Sequence, residues 1–256
     1  MSTALPKMPS FRLDGRRALV TGAGRGIGRA ASLALAEAGA DLFLAARTIT
    51  EVEKVASEIH EANGSARAIY LDVTDTSAVK EMMMELGPFQ ILVNSAGGNR
   101  PQDLLDVSEG DFDSIANLNF RAAFFVAQSM AAGLIKDGLP GSIINISSQM
   151  GHVGGPKRTV YCATKHAIEG ATKAMAWELG KHNIRVNTLC PTFIRTAMVE
   201  EILEDPEFHN YVIGNIALKR IGEVEDIMGA VVFLASDASA LMTGSALVID
   251  GGWTAV

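Results

Sequence analysis

The sequence predicts an α/β fold in which a doubly wound, parallel, seven-stranded sheet carries helices on both faces. Short apolar runs alternate with helical patterns from residue 17 to residue 250, and this alternation is typical of parallel sheets. A glycine-rich turn follows the first apolar run directly, as it does in many sheets of this kind. The 256 residues contain no repeat, low-complexity run or linker, so one domain is predicted.

Seven apolar, β-rich runs are predicted as strands, at residues 17–21, 41–46, 66–71, 90–93, 141–147, 184–189 and 246–250. Apolar residues at helical spacing predict helices at residues 27–38, 50–62, 79–86, 111–134, 159–179 and 223–236. Thr50 and Glu53 form a capping-box pattern at the start of the second helix. Residues 1–13 are expected to be a loosely held arm, and residues 192–218 a partly helical lid over the substrate.

The turn after the first strand contains Gly22, Arg25, Gly26, Ile27 and Gly28. A strand, a glycine turn and a helix N-terminus together form a phosphate cradle, because backbone N–H groups and the helix dipole point at an anion. The spacing is Thr-Gly-x-x-x-Gly-x-Gly rather than the usual G-x-G-x-x-G fingerprint of dinucleotide sites. Its place between a strand and a helix predicts a phosphate-bearing ligand at this turn.

The end of the second strand indicates which nucleotide the site prefers. Sites that prefer NAD place an acidic residue there to bind the ribose, whereas this chain has Ala46 followed by Arg47. Alanine cannot repel a 2′-phosphate, and a guanidinium binds phosphate well. Arg25 in the glycine turn supplies a second cation. These residues favour NADP(H) as the cofactor, and the alternative is that Arg47 is a solvated loop charge.

Residues 144–165 carry the candidate chemistry. Ser148 follows the fifth predicted strand, and Tyr161 and Lys165 lie one turn apart on the helix that begins near Thr159. A neighbouring ammonium favours the phenolate and lowers the pKa of the tyrosine, so Tyr161 could exchange a proton near neutral pH. A carbonyl oxygen held by Ser148 and Tyr161 would then be ready to receive a hydride. A tyrosine and a lysine at this spacing also occur by chance on many helices.

The full set of motifs resembles the short-chain dehydrogenase/reductase family, whose pattern is a serine followed thirteen residues later by Tyr-x-x-x-Lys. The resemblance covers residues 14–254 and implies a Rossmann-type fold, an NADP-preferring site and catalysis by Ser148, Tyr161 and Lys165. It also assigns Asn119 to a helix distortion and to a water link to the lysine. The chain departs from the family pattern at Ser95 and Thr192.

The resemblance also implies a set of cofactor-binding residues beyond the glycine turn and Arg47. Asp72 would bind the adenine amino group, although a turn or helix cap is an equal reading of this residue. Gly97 would let the backbone approach the nicotinamide ribose, and Thr196 would lie near the carboxamide. The expected cofactor residues outside the turn are therefore Asp72, Val73, Asn94, Ala96, Gly97, Tyr161, Lys165, Pro191, Ile194 and Thr196.

The substrate is expected to be a small molecule with a ketone or secondary alcohol group. Met150, His152, Val153, Phe193 and Met198 are predicted to line its pocket. This mixed apolar wall leaves cyclic ketones, sugars and 3-oxoacyl thioesters open. No metal is required by this chemistry, and no His/Cys/carboxylate pattern in the sequence suggests one.

The composition restricts the partners that the chain is expected to have. A formal net charge of −7 argues against a nucleic-acid footprint and against a basic membrane-binding surface. Residues 1–13 lack the apolar core of a signal peptide, and no run of about 18 apolar residues predicts a membrane span. A cytoplasmic location follows as the expectation. By resemblance to the family, a homotetramer built through two long helices and the last strand is expected.

Two other functions compete with a ketone reductase or alcohol dehydrogenase. A reductase of 3-oxoacyl thioesters on an acyl carrier protein would favour a basic surface beside its mouth, and the acidic balance of the chain opposes it mildly. A non-catalytic regulator that senses the dinucleotide would favour an incomplete catalytic set. Ser148, Asn119, Tyr161 and Lys165 are all present.

Overall fold

The computed structural model of the chain describes residues 5–255, apart from the side chains of Met198, Glu201 and Ile202. Seven parallel strands form one sheet in the order β3-β2-β1-β4-β5-β6-β7. The strands are β1 (Arg17–Thr21), β2 (Asp41–Ala46), β3 (Ser65–Tyr70), β4 (Ile91–Asn94), β5 (Gly141–Ile146), β6 (Ile184–Pro191) and β7 (Ala246–Ile249). The predicted fold class is confirmed.

The strand order reverses beside β1, which pairs with β2 on one side and with β4 on the other. In the register, Leu19 of β1 lies between Phe43 of β2 and Leu92 of β4. All three side chains are buried, because helices cover both faces of the sheet. A sheet of this topology opens a crevice at the carboxyl ends of its strands, next to the reversal.

The helices are α1 (Gly26–Glu37), α2 (Ile49–Glu61), α3 (Thr76–Leu86), α4 (Glu109–Ala116), α5 (Ala123–Asp137), α6 (Thr159–Leu179), α7 (Ala197–Leu203), α8 (Pro206–Asn215) and α9 (Glu225–Ala235). One apolar cluster packs α1, α2 and α9 on the sheet through residues such as Leu35, Ile59 and Val231. A second cluster contains Val79 of α3, Met130 of α5 and Ala176 of α6. The core therefore lies in two layers, one on each face.

A π-helical turn, Asn117–Ala122, joins α4 to α5, so residues 109–137 form one continuous helix. Within the described residues, this is the helix whose length and apolar composition would suit a membrane span. The sequence analysis predicted no such run. Its inner side is buried against the sheet through Val126, Met130 and Leu134, so packing in the core accounts for its composition.

Two local expectations were wrong. The N-terminal arm is not loose throughout, because Leu13 is fully buried in the core and its N–H donates to the carbonyl of Ala38. The capping box is not formed, since α2 begins at Ile49 and Thr48 occupies the cap position without a side-chain hydrogen bond. The region predicted as a lid is partly helical as expected, since it contains α7 and α8. A small apolar cluster around Val212 and Ile216 packs it, and its role as a lid stays a prediction.

Candidate active site

A cavity of about 430 Å³ opens where β1, β2, β4, β5 and β6 end. The glycine turn and the Ser-Tyr-Lys set line the same cavity, so the structure brings the two halves of the predicted site together. The predicted residues that line it are Gly22, Arg25, Gly26, Ile27, Gly28, Arg47, Val73, Ala96, Gly97, Ser148, Met150, Tyr161, Lys165, Pro191, Phe193, Ile194 and Thr196.

The glycine turn can take its shape only without side chains at two positions. Gly22 has φ +65°, and a Cβ atom there would lie 2.9 Å from the Cα atom of Ala96. A Cβ atom on Gly28 would overlap the carbonyl oxygen of Gly22. The turn therefore packs tightly against the loop after β4, and the N-terminus of α1 faces the cavity as a site for an anion.

Two arginines lie at the end of the cavity that the glycine turn lines. Arg25 and Arg47 are exposed and line it, and neither forms an ion pair with any carboxylate among the described residues. Glu51 of α2 also lines the cavity, and its carboxylate lies against Gly24. The sequence analysis missed Glu51, which it assigned only to an amphipathic helix.

Asp72 holds the turn that follows β3. One oxygen, Oδ1, accepts hydrogen bonds from the backbone N–H and the hydroxyl of Thr74 at 2.9 and 2.7 Å. Burial opposes the charge of Asp72, but these bonds and the charge of Arg47 leave the pKa of Asp72 below its ordinary value. The structure thus shows the turn role that the sequence left open, and Asp72 itself is not among the lining residues.

Asn94 does not present its side chain to the cavity. Its amide donates to the carbonyl of Ala123 at 3.0 Å and to Oδ1 of Asn145 at 2.9 Å. Asn145 in turn donates to Thr172 of α6. This buried chain of hydrogen bonds ties β4 and β5 to α5 and α6, so the side chain of Asn94 is used for structure rather than for a ligand.

Asn119 lies in the π-helical turn, as the resemblance implied. Its Oδ1 accepts from the N–H of Gly98 at 2.8 Å, and its Nδ2 donates to the carbonyl of Gly98 at 2.9 Å and to Thr164 at 3.2 Å. Asn119 therefore clamps the loop after β4 to α6. A Cβ atom on Gly97 would lie 3.3 Å from Oδ1 of Asn119 and 4.0 Å from Nζ of Lys165.

Ser148 and Tyr161 face each other at the inner end of the cavity. Ser148 is buried, and its hydroxyl accepts a hydrogen bond from the N–H of Met150 at 3.1 Å. Burial raises the pKa of Tyr161, while a hydrogen bond from Ser148 and the charge of Arg158 act in the opposite direction. The prediction that Lys165 lowers this pKa is wrong, because burial dominates and the cation that acts on the phenol is Arg158.

Lys165 is buried, and its ammonium donates a hydrogen bond to the carbonyl of Ile146 at 2.8 Å. Its Nζ lies 5.5 Å from the centre of the Tyr161 ring. Burial lowers the pKa of Lys165 from 10.5 to about 8, against the influence of Cys190 and Glu169. The lysine therefore stays mostly protonated at neutral pH, although its pKa lies only slightly above that pH.

A polar cluster lies behind the lysine. Glu169 accepts hydrogen bonds from Thr188 at 2.9 Å and from Cys190 at 3.2 Å, and Nε2 of His152 lies 3.7 Å from the same carboxylate. The sequence suggested no His/Cys/carboxylate cluster, but His152, Glu169 and Cys190 place possible ligand atoms within 4.8 Å of one another. Donors from the protein already engage both carboxylate oxygens.

Two of the predicted substrate residues do not line the cavity, and the side chain of one is not described. His152 turns toward Cys190, 3.5 Å from its sulfur, and neither His152 nor Val153 is among the lining residues. The side chain of Met198 lies outside the described residues. Met150 and Phe193 line the cavity as predicted, and Phe193 stacks against Phe208 of α8.

The sequence analysis missed several polar lining residues. Asn99, Gln149 and Thr192 line the cavity, and each has a buried side-chain atom without a hydrogen-bond partner among the described residues. Arg158, at the start of α6, is also a buried lining residue. Buried polar groups are normally paired, so these atoms indicate a polar ligand. Their only signal in the sequence was a position in loops next to the recognised motifs.

A doubly wound parallel sheet with a glycine-rich phosphate cradle at its crevice defines the class of dinucleotide-binding α/β proteins. A family model described as enoyl-(acyl carrier protein) reductase matches residues 22–254. The chain belongs to the short-chain dehydrogenase/reductase family.

The relatives are oxidoreductases that match nearly the whole chain. The chain is 41% identical to D-erythrulose reductase of Gallus gallus, over 96% of this chain and 98% of the relative. It is 40% identical to L-xylulose reductase of Mesocricetus auratus, over 94% and 97%. A crystal structure of a gluconate 5-dehydrogenase from Burkholderia cenocepacia, in complex with NADP and tartrate, superposes with a TM-score of 0.92 at 34% identity, covering 97% of this chain and 99% of that one.

Proposed function

We propose that the chain is an NADP(H)-dependent oxidoreductase that interconverts a small, polyhydroxylated ketone and its secondary alcohol. The observation that carries this proposal is the continuity of one cavity from Arg25 and Arg47 to Ser148, Tyr161 and Lys165. The names of the relatives agree with it, since they include two ketose reductases and a gluconate dehydrogenase.

The residues at the outer end of the cavity fit NADP(H). A cradle that a Cβ atom would fill at Gly22 and Gly28 suits the close approach of a pyrophosphate to the backbone. Arg25 and Arg47 suit a 2′-phosphate. Asn99 and Thr192 offer buried polar atoms without partners, as a ligand rich in amide and hydroxyl groups requires.

When bound, this cofactor supplies or accepts the hydride. The chain positions the carbonyl and handles the proton. Ser148 and Tyr161 donate hydrogen bonds to the carbonyl oxygen, and the hydroxyl of Tyr161 gives up its proton as the oxygen becomes an alcohol. The charge of Arg158 favours the phenolate that remains, and the ammonium of Lys165 lies 5.5 Å from the centre of the tyrosine ring. Asn119 fixes the backbone of the loop after β4. Its proposed role in linking the proton path to solvent is the one that the family resemblance implies.

The protonation of Tyr161 favours the reductive direction. Burial raises the pKa of Tyr161, so the phenol holds its proton at neutral pH. A protonated phenol can act as the general acid that a reductase needs. The reverse reaction requires the phenolate, and we therefore expect alcohol oxidation to accelerate at alkaline pH.

An assay of NADPH oxidation across small ketones, ketoses, sugar acids and acyl thioesters tests the proposed function. We expect turnover with polyhydroxylated ketones and none with thioesters bound to an acyl carrier protein. A preference for the thioesters would replace our proposal with that of a 3-oxoacyl-thioester reductase. NADPH binding without turnover of any carbonyl compound would support a dinucleotide-sensing regulator instead.

We further propose that the protein is a cytoplasmic homotetramer, assembled through α5 and α6. Trp177 on α6 is 89% exposed. Phe120, Phe124 and Phe125 form edge-to-face pairs at the surface of the π-helical turn and α5. Such aromatic residues are typical of buried interfaces.

A further inference from the structure

Arg158 is a buried cation without a partner. Its residue exposure is 7%, and it lines the cavity. Among the side chains that the structure describes, which do not include those of Met198, Glu201 and Ile202, no ion pair or hydrogen bond to its guanidinium is found. Arg185, a partly buried arginine elsewhere in the fold, donates instead to Ser239 and to two backbone carbonyls.

An unpaired guanidinium in this position is unfavourable for the protein alone. Desolvation of a charge costs several kcal/mol unless an opposite charge or good acceptors compensate for it. Burial accordingly lowers the pKa of Arg158, and the largest opposing influence is Tyr161. The protein therefore gains nothing in stability from the charge, which points to an anion that arrives with the ligand.

The position of Arg158 relates it to the reacting carbonyl. Arg158 is the N-cap residue of α6 and lies three residues before Tyr161. The stem of Arg158 passes Gly155, where a Cβ atom would lie 3.7 Å from Cγ of the arginine. The charges of Arg158 and Tyr161 each influence the pKa of the other, so the guanidinium lies close to the phenol that meets the substrate.

We infer that Arg158 binds a carboxylate of the substrate, so that the substrate is a short oxo acid and the product the matching hydroxy acid. This inference rests on the proposed function and names the substrate class of the same site. A planar guanidinium pairs with a carboxylate through two parallel hydrogen bonds. Arg158 supplies one positive charge, which matches the single charge of a carboxylate more closely than the two charges of a phosphate.

The test compares oxo acids with their uncharged amides. Acetoacetate, levulinate and 5-oxogluconate are assayed against the corresponding amides with NADPH, using wild type, Arg158→Gln and Arg158→Lys. For at least one pair, we expect wild type to favour the acid by about 10- to 100-fold in kcat/KM, the range of one charged hydrogen-bonded contact. Arg158→Gln should lose most of that preference through KM, and Arg158→Lys should restore part of it.

The matched control is Lys157→Gln, which makes the same change of charge one residue away. Lys157 is exposed and does not line the cavity, and its Nζ lies 3.5 Å from Oδ2 of Asp103. The acid preference of Lys157→Gln should therefore equal that of wild type. The readout is the acid-to-amide ratio within each variant, because an effect of Arg158→Gln on the acidity of Tyr161 changes both substrates alike. The KM for NADPH should change less than about threefold in Arg158→Gln.

Three results would overturn the inference. One is a wild-type enzyme that reduces neutral ketones without preferring any acid, which would leave the proposed function intact. Another is an acid preference that Arg158→Gln retains. The third is a higher KM for NADPH in Arg158→Gln, which would assign the arginine to the cofactor.

Absence of carbonyl reduction by wild type, in contrast, would remove the proposed function together with the inference. Thermal stabilisation of the NADPH complex by each acid and its amide gives a readout of binding that does not depend on turnover.

Discussion

At the scale of single residues, Lys165 is a charged side chain in a buried position, and burial disfavours its charge. The ammonium has one backbone acceptor, the carbonyl of Ile146, and the nearby Glu169 and Cys190 as compensating groups. Burial nevertheless dominates and brings its pKa from 10.5 to about 8. The protein thus keeps a cation beside Tyr161 at some expense of stability, as functional sites often do.

Replacing Lys165 with methionine should remove a pH dependence of stability. The folded pKa lies below the unfolded one, so between pH 8 and 10.5 the unfolded chain binds a proton that the folded chain has released. The stability of wild type therefore rises with pH across this window. From pH 7 to 9.5, the free energy of unfolding of wild type should increase relative to Lys165→Met by about 1–2 kcal/mol.

Urea unfolding at the two pH values measures this difference. Lys173→Met, on the exposed side of the same helix, is the control and should follow wild type. Equal pH slopes for wild type and Lys165→Met would show that the buried lysine does not titrate as described. Lys165→Met should also lose turnover.

Sequence spacing predicted which residues approach one another, but not how their charges act. The four-residue separation of Tyr161 and Lys165 correctly implied neighbours on one helix. The direction of the tyrosine pKa depends on burial and on Arg158, and neither is visible in the motif. Lys157 and Arg158 are adjacent cations in a polar loop, and only Arg158 is buried. The sequence contains no signal that distinguishes the two.

At the scale of elements, the junction of β1 and α1 depends on the absence of a side chain at Gly28. A methyl group there would overlap the carbonyl oxygen of Gly22. Gly28→Ala should lower the free energy of unfolding by about 1–3 kcal/mol and weaken NADPH binding, because the turn must open. Denaturant unfolding and a binding titration measure the two effects.

Gly229→Ala is the matched control within a helix. Gly229 lies inside α9 with open space around its Cα atom, so alanine should stabilise the protein by up to about 1 kcal/mol. If the two alanine variants had the same stability, the tight turn described here would not exist in solution.

The end of β2 should determine the choice of nucleotide. Arg47 follows the strand and lines the cavity, so Arg47→Asp should raise the KM for NADPH by about 10- to 100-fold and shift the preference toward NADH. Lys54→Asp, an equal change of charge on the exposed side of α2, should leave the preference unchanged. Equal catalytic efficiency of wild type with NADPH and NADH would contradict this role for Arg47.

Strand positions followed closely from the sequence, whereas caps did not. Apolar runs predicted β1 and β2 to the residue and the other strands to within two residues at each end, because buried parallel strands are apolar throughout. The cap of α2 depended on where the loop after Arg47 turns, and Thr48 rather than Thr50 occupies that position. Local motifs cannot decide between neighbouring candidates of the same type.

At the scale of the whole molecule, exposed aromatic residues on the outer helices are unusual for a free surface. Light scattering with size-exclusion chromatography should give four times the mass of one chain. Trp177→Glu on α6 should reduce that mass, while Tyr70→Glu, at a residue 65% exposed on the edge strand β3, should not. A wild-type protein with the mass of one chain would contradict the proposed tetramer.

The central claim is that Tyr161 passes a proton to a carbonyl held at the inner end of the nucleotide cavity. The most direct test measures NADPH binding by fluorescence and ketone reduction by absorbance for wild type, Tyr161→Phe and Tyr70→Phe, the last on the exposed edge strand β3. We predict that Tyr161→Phe binds NADPH as wild type does and loses at least about 100-fold in turnover, while Tyr70→Phe changes neither. Retention of most of the turnover by Tyr161→Phe would contradict the account.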